Sequence, residues 1–227
     1  MARIMYGMDL RNVAVFVWVF SWLGMFLAYG ASAAGGHLEA CVPHLSGCAS
    51  ISASGRYGWG YFIFKALMIP AGVFFAVYWM FCERWLRACG DTHIGWCRAL
   101  LVVGVVGSAS FVLYATFLGH EGDLYRALRR YGTIVFFGFT YVAQLILVYR
   151  AQALFGKTVL VRTKVVLCVF MLAEGLALEA FTYFIENDAW LESLTEWHAA
   201  TALSFYPFVT WLMWRKTGFA LDFKRVP

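Results

Sequence analysis

Residues Asn12 to Ala34 read NVAVFVWVFSWLGMFLAYGASAA and contain no charged side chain. A helix needs about 20 apolar residues to cross the roughly 30 Å of hydrocarbon in a bilayer, so this run is long enough to span a membrane. Arg3 and Arg11 before it, and Ala31-Ser32-Ala33 at its end, resemble a cleavable signal peptide, but the length of the run favours a retained span. Five further apolar runs follow. The six predicted spans are residues 12–34, 57–81, 97–118, 131–154, 165–185 and 197–214.

The composition predicts one membrane-embedded domain. Of the 227 residues, 62% are hydrophobic and 14% are charged, which is outside the range of soluble domains. Unpaired backbone groups are costly in lipid, so spans are helices or closed barrels, and these runs lack the alternation of barrel strands. The sequence therefore predicts an all-α polytopic membrane protein, a six-helix bundle over residues 1–227. No basic stripe interleaved with exposed aromatic residues indicates nucleic-acid binding, and no cofactor is predicted.

The basic residues predict the orientation, because Lys and Arg are retained on the cytoplasmic side of a membrane. Thirteen of the 18 Lys and Arg residues fall on one side of the predicted spans: Arg3, Arg11, Arg84, Arg87, Arg98, Arg150, Lys157, Arg162, Lys164, Arg215, Lys216, Lys224 and Arg225. The other side has Arg56, Arg126, Arg129 and Arg130. Both termini are therefore predicted to be cytoplasmic. Because no organelle-sorting signal is apparent, the plasma (inner) membrane is the expected location.

The cysteines divide between the two sides of the membrane. Cys41 and Cys48 lie in the first external loop, and a disulfide between them is predicted if that compartment is oxidising. Cys82 and Cys89 lie on the cytoplasmic side, where thiols stay reduced. The sequence offers no standard metal-binding spacing around them.

Three charged residues lie within the predicted spans at five or more residues from either end: Lys65, Glu174 and Glu179. At about 1.5 Å per residue, Lys65 and Glu179 lie roughly 12 and 10 Å below the outer face, so they are predicted to pair. Glu186 would lie two turns above Glu179 on the same face. The pair either fixes helix register or forms the base of an outward-open polar pocket. The role of Glu174 stays open.

A second group of polar residues is predicted at the outer rim, where carboxylates beside imidazoles suit acid–base catalysis and arginines suit phosphate. The candidate catalytic residues are Glu179, Glu186, Glu196, His198 and His120. The candidate substrate-binding residues are Lys65, Arg129, Arg130, Asn187 and Trp197. The alternatives are an ordinary solvated loop surface, or a metal site built from His120, Glu121, Asp123 and His198, whose spacing fits no standard motif.

Two segments carry a family resemblance. Residues Cys41–Met68, CVPHLSGCASISASGRYGWGYFIFKALM, resemble the first external loop and second span of the DRAM/Frag/Sfk family. Residues Glu186–Ala200, ENDAWLESLTEWHAA, are similar to the acidic turn and Glu-Trp pair that open the last span of that family. Arg129, Arg130 and Tyr131 stand where the family tends to carry a histidine. The resemblance implies lipid-related work, since eukaryotic relatives act in autophagy and in remodelling the lipids of GPI anchors.

The sequence supports three hypotheses of function. The first is a protein that handles or remodels membrane lipids through an outward-facing polar pocket; if it is an enzyme, acyl or headgroup transfer or hydrolysis is expected. The second is a scaffold that binds another integral membrane protein. The third is a channel or proton-coupled transporter that uses Glu174 and Glu179.

Overall fold

The structure is a computed structural model that describes residues 9–184 and 189–219. The regular elements of these residues are all helices, which confirms the all-α prediction. In chain order they are α1 (Asn12–Ala34), α2 (Pro43–Ser46), α3 (Ile51–Ser54), α4 (Gly58–Ala88), α5 (Ile94–Phe117), α6 (Asp123–Phe155), α7 (Val159–Thr182) and α8 (Ala189–Lys216).

Five of the long helices, α1, α4, α5, α6 and α7, are long and apolar enough to cross a membrane. They support a multi-pass integral membrane protein built as a helical bundle. Helix α8 has 28 residues but is not among these five, so the predicted sixth span lacks that support.

The helix ends differ from the predicted span ends. Helix α6 begins at Asp123, eight residues before the predicted span that starts at residue 131. Helix α7 begins at Val159, where the Thr158 side chain accepts a hydrogen bond from the Val161 N–H and caps the first turn. Arg, Leu and Ala favour helix as well as any residue type, so charged flanks extend a helix without being apolar.

The six long helices form a ring in which α1, α4, α5, α6, α7 and α8 are successive neighbours and α8 returns to α1. Glycines allow close approach at two of these contacts. A Cβ at Gly60 in α4 would meet the Ser32 hydroxyl and the backbone oxygens of Ala28 and Ser54, and one at Gly104 in α5 would meet the Trp79 ring. The absence of a side chain at Gly60 therefore lets α1 and α4 approach closely.

Helix α8 is joined to α6 by polar contacts in the middle of the bundle. Pro207 has no N–H, so the carbonyl of Leu203, four residues earlier, lacks its helical donor. The Gln144 side-chain amide donates to this Leu203 oxygen at 3.4 Å, and the Tyr206 hydroxyl donates to the Gln144 backbone oxygen at 2.8 Å. The break in the α8 hydrogen-bond ladder is thus repaired by α6.

Lys164 lies inside the bundle, although the sequence analysis placed it in a cytoplasmic connection. It is the sixth residue of α7 and is fully buried, at 0% exposure. Its Nζ donates to Thr210 Oγ1 at 2.6 Å and lies 3.4 Å from the centroid of the Tyr206 ring. The Tyr78 hydroxyl is 2.6 Å from the same Thr210 oxygen. This group of four side chains links α7, α8 and α4, and the prediction for Lys164 is wrong because α7 begins earlier than expected.

A buried ion pair fixes the end of the bundle that carries the α4–α5 connection. Arg150 of α6 donates from Nε to Asp91 Oδ2 at 2.8 Å and from Nη2 to Asp91 Oδ1 at 2.7 Å. Asp91 is 6% exposed and Arg150 is 5% exposed. The hydrogen bonds from Arg150 hold the pKa of Asp91 below its ordinary value, so this carboxyl stays ionised.

Candidate functional site

The first loop between long helices folds back over one end of the bundle. A disulfide joins Cys41 and Cys48, as the sequence predicts. The Tyr29 hydroxyl at the end of α1 accepts a hydrogen bond from the Cys41 N–H at 2.8 Å. The loop contains α2 and α3, which both contact α8. This loop, residues 35–57, is therefore held over that end, and we call it the cover.

Glu196 and Trp197, two of the predicted site residues, hold this cover in place. Glu196 Oε2 accepts a hydrogen bond from the Ile51 N–H at 3.2 Å, at the start of α3. Trp197 Nε1 donates to the Ala49 carbonyl at 2.8 Å, and the side chain is 0% exposed. These contacts anchor the loop to α8, and the burial of Trp197 leaves no face for a lipid headgroup.

Glu196 also lines a small internal cavity with Ser21, Tyr114 and Thr133. The volume of this cavity is about 40 Å³. A cavity of that size has room for water but not for a lipid chain. The centre of the bundle is therefore not the predicted polar pocket.

A carboxylate and an imidazole meet between α7 and α8. Glu174 Oε1 and His198 Nδ1 are 2.8 Å apart, and the two side chains are 17% and 32% exposed. The second carboxyl oxygen, Glu174 Oε2, is buried and has no hydrogen-bond partner within residues 9–184 and 189–219. Glu174 lies eight residues before the end of α7 at Thr182, which places it roughly 12 Å below that end.

The other imidazole nitrogen of His198 is fixed by the cover. His198 Nε2 lies 2.9 Å from the backbone carbonyl of His44 in α2, and this oxygen can only accept. His198 Nε2 must therefore carry a proton. One further proton is shared between His198 Nδ1 and Glu174 Oε1. Whichever atom holds it, the pair of side chains has no net charge.

Glu174 and His198 line a groove between α1, α7 and α8, which we call the α7–α8 groove, at the end where His44 of the cover also lines it. Its volume is about 530 Å³, within the range of small-molecule sites. It is lined by Trp22, His44, Leu167, Phe170, Glu174, His198, Thr201, Ala202 and Phe205. Most of these residues are apolar, so the groove suits an apolar ligand with few polar groups.

The predicted pairing of Lys65 with Glu179 is wrong. Lys65 Nζ donates to the Tyr61 hydroxyl of its own helix at 2.6 Å, and Glu179 is exposed on α7. No ion pair joins the two within residues 9–184 and 189–219. Helix α4 packs mainly between α1 and α5, whereas α7 packs between α6 and α8. Equal depth therefore did not bring the two side chains together.

The predicted rim residues of the α5–α6 connection form a separate group. Arg129 Nη1 donates to the carbonyls of Phe117 and His120 and so caps the end of α5. His120 is exposed, with its ring 5.4 Å from that of Tyr125, and Arg130 is exposed as well. No hydrogen bond found in the described part of the chain joins this group to His198.

The remaining predicted residues give two plain outcomes. Glu186 and Asn187 lie outside the described residues. In the part of the chain that the structure describes, no group of three or more His, Cys, Asp or Glu residues could hold a metal ion. The alternative metal site that includes His120 and His198 is therefore not formed there.

Sequence reasoning missed the partner of Glu174. It marked Glu174 as a charged residue inside a span and His198 as a rim residue, but it did not place them together. It also overlooked His44, whose ring stacks on Phe26 at 5.7 Å and whose Nε2 lies 2.9 Å from Thr201 Oγ1. The available signal was the position of two histidines in segments that flank spans.

The cover is expected to loosen in acid through His44. This residue lies in α2, outside the spanning helices, and burial lowers its pKa from 6.5, with nearby His198 adding to the effect. A histidine with a lowered pKa binds protons more readily in the unfolded chain, so stability falls as pH falls from about 6.5 through the folded pKa. In detergent, we expect the melting temperature of the wild type to drop between pH 7.5 and pH 5. The His44→Gln variant should drop less; an equal drop in both would contradict the assignment to His44.

Comparisons with models of protein families, with curated proteins and with solved structures found no match. The resemblance to the DRAM/Frag/Sfk family therefore stays a prediction from short sequence motifs.

Proposed function

We propose that this chain is a lipid-binding membrane protein, and that its α7–α8 groove takes up a lipid from the surrounding leaflet. The observation that carries the proposal is a buried carboxylate oxygen, Glu174 Oε2, which has no partner in the part of the chain that the structure describes and belongs to a residue that lines a largely apolar groove of about 530 Å³. A buried acceptor without a donor costs about 1–3 kcal/mol. A bound lipid that supplies the donor would remove this cost.

The proposal includes six spans, with α8 as the sixth. Helix α8 is not among the five helices that are apolar enough to cross a membrane, but its polar groups face neighbouring helices. Thr210 contacts Lys164 and Tyr78, and the Leu203 carbonyl accepts a hydrogen bond from Gln144. The excess of basic residues at the opposite end from the cover supports cytoplasmic termini. A disulfide in the cover supports an external compartment for that end, as expected in a plasma (inner) membrane.

The α7–α8 groove supports binding more directly than catalysis. Of the predicted catalytic residues that the structure describes, His198 alone lines it, and both of its ring nitrogens already have partners. Glu174 has the free oxygen and is the residue that would contact the lipid. Acyl or headgroup transfer would require a further group to stabilise the reacting carbonyl. The proposal is therefore lipid handling, with transfer chemistry as an extension of it.

A scaffold role is the second candidate, and the surface of α7 favours it. In the most apolar stretch of α7, 11% of the residues are buried inside the bundle. In the corresponding stretches of α1, α4, α5 and α6, the buried share is 33–44%. This exposed surface is open to another integral membrane protein as well as to lipid. Stable co-purification of a single partner, lost when the surface of α7 is changed, would support the scaffold role.

The lipid proposal is tested by filling the groove. Leu167 lines it, whereas Val169 on the same helix is 59% exposed and does not. We expect the wild type, extracted in mild detergent, to keep bound lipid in native mass spectrometry. Leu167→Trp should lower the retained lipid at least fivefold, and the control Val169→Trp should keep it. Equal retention in the two variants would contradict lipid binding in the groove.

A further inference from the structure

The α7–α8 groove contains groups that discriminate between lipid classes, and this inference rests on the proposed lipid-binding function. The groove has no Lys or Arg among its described lining residues. The predicted headgroup-binding residues Lys65, Arg129 and Arg130 do not line it. A phosphate would therefore enter an apolar site without a cation, next to a carboxyl group. The lack of a cation that could compensate the phosphate therefore disfavours an anionic phospholipid headgroup.

The net charge of the Glu174–His198 pair disfavours a cationic headgroup. Glu174 and His198 together carry no net charge, because His198 Nε2 is held as a donor by the His44 carbonyl and one proton is shared across the 2.8 Å contact. An ammonium group would thus bring an uncompensated positive charge roughly 12 Å below the end of α7. Placing a lone charge inside a bilayer costs about 2.5–3.5 kcal/mol on insertion scales. A neutral donor has no such cost.

Two side chains that line the groove each carry a buried polar atom without a partner, one an acceptor and one a donor, and a ligand in the groove reaches these atoms only after the side chains that cover them move. The acceptor is Glu174 Oε2, and the donor is the indole N–H of Trp22 on α1. Both atoms are buried without a hydrogen-bond partner among the described residues, and both residues line the groove. A ligand that satisfies both needs an O–H donor and a separate carbonyl acceptor. The other lining groups add apolar surface on which acyl chains pack.

We propose that the α7–α8 groove binds a neutral acylglycerol, whose free hydroxyl donates to Glu174 Oε2 and whose ester carbonyl accepts from Trp22 Nε1–H. A diacylglycerol has this combination of groups without a charge. A sterol has the hydroxyl but lacks the carbonyl, and a phospholipid adds the phosphate that the site does not compensate.

The test measures lipid bound to the full chain in phosphatidylcholine nanodiscs by native mass spectrometry. The discs contain one of five probes: dioleoylglycerol, its 3-O-methyl ether, dioleylglycerol with ether-linked chains, cholesterol or phosphatidic acid. We expect dioleoylglycerol to bind at least tenfold better than the methyl ether, which lacks the donor. It should also exceed cholesterol and phosphatidic acid. Equal binding of dioleoylglycerol and its methyl ether would overturn the inference.

Two pairs of variants assign the contacts. Glu174→Met should abolish the preference for the free hydroxyl, and the matched control Glu179→Met, on an exposed position of the same helix, should keep it. Trp22→Phe should weaken dioleoylglycerol binding about fivefold, the worth of one hydrogen bond of about 1 kcal/mol. It should leave the ether-linked lipid unchanged. Trp18→Phe is the control, because Trp18 Nε1 is also buried without a partner but does not line the groove.

The outcomes separate the inference from the proposed function. If cholesterol or phosphatidic acid binds best, and Leu167→Trp removes it, the groove binds lipid but its selectivity is not the one inferred. If no probe binds in a manner that Leu167→Trp removes, the inference and the lipid-binding function both fail. If Trp22→Phe and Trp18→Phe bind dioleoylglycerol equally well, Trp22 does not contact the ester carbonyl, and the acylglycerol assignment is overturned.

Discussion

Replacing Asp91 with Ala is expected to lower the free energy of unfolding by about 3–5 kcal/mol. The change leaves the guanidinium of Arg150 buried, at 5% exposure, without the carboxylate that accepts two of its hydrogen bonds. An uncompensated buried charge accounts for most of this cost. The melting temperature in detergent should fall by roughly 6–20 °C at about 2–4 °C per kcal/mol.

The control for this prediction is a pair on the protein surface. Asp123 and Arg126 are 98% and 76% exposed with their charged atoms 3.6 Å apart, so Asp123→Ala should change the melting temperature very little. The pKa of Asp91 is lowered by Arg150, so its contribution should persist above the ordinary value of 3.8 and disappear only as the pH falls through the lower, folded pKa. If Asp91→Ala were as mild as Asp123→Ala, the pair would not hold the α4–α5 connection.

Replacing Gly60 with Ala should push α1 and α4 apart where they pack closely. The added Cβ would meet the backbone oxygens of Ala28 and Ser54 and the hydroxyl of Ser32. Backbone oxygens cannot rotate away as a flexible side chain would, so the helices must shift. The shift also disturbs the 2.8 Å hydrogen bond from Ser32 Oγ to the Ser54 carbonyl. We expect a loss of about 3 kcal/mol in unfolding free energy.

Gly138 provides the matched control for Gly60. It also lies inside a long helix, α6, but a Cβ there would have no neighbour within 4 Å. Gly138→Ala should be neutral or stabilise by up to about 1 kcal/mol, because Ala favours helix over Gly. Chemical unfolding of both variants in the same detergent measures the difference. Similar stability of the two variants would show that the α1–α4 contact is looser than the structure gives.

The sequence predicted features that depend on one helix or one loop at a time. The bounds of α1 were predicted correctly, and so was the disulfide between Cys41 and Cys48. Apolar length and local spacing determine these features. The start of α7 was predicted six residues late because its first turns contain Arg162 and Lys164, and charge was interpreted as the end of a span.

The candidate site was only partly predictable, because hydropathy gives depth but not which helices are neighbours. Lys65 and Glu179 were placed at similar depths, yet their helices do not pack against each other in the ring. Glu174 and His198 meet because α7 and α8 are neighbours, and His44 joins them through the fold of the cover. No periodicity in the sequence contains that information, whereas the residue types themselves were visible.

The burial of Lys164 has a consequence for biogenesis. Its Nζ donates hydrogen bonds to Thr210 Oγ1 and to the backbone carbonyl of Tyr206, and both residues belong to α8. While α8 is still being synthesised, α7 alone would carry the unpaired amino group of Lys164 into hydrocarbon. The insertion free energy of such a group is about 2.5–3.5 kcal/mol unfavourable. Helices α7 and α8 should therefore leave the insertion machinery together as a hairpin. A chain arrested before Thr210 emerges should keep α7 at the translocon, where water still reaches the lysine.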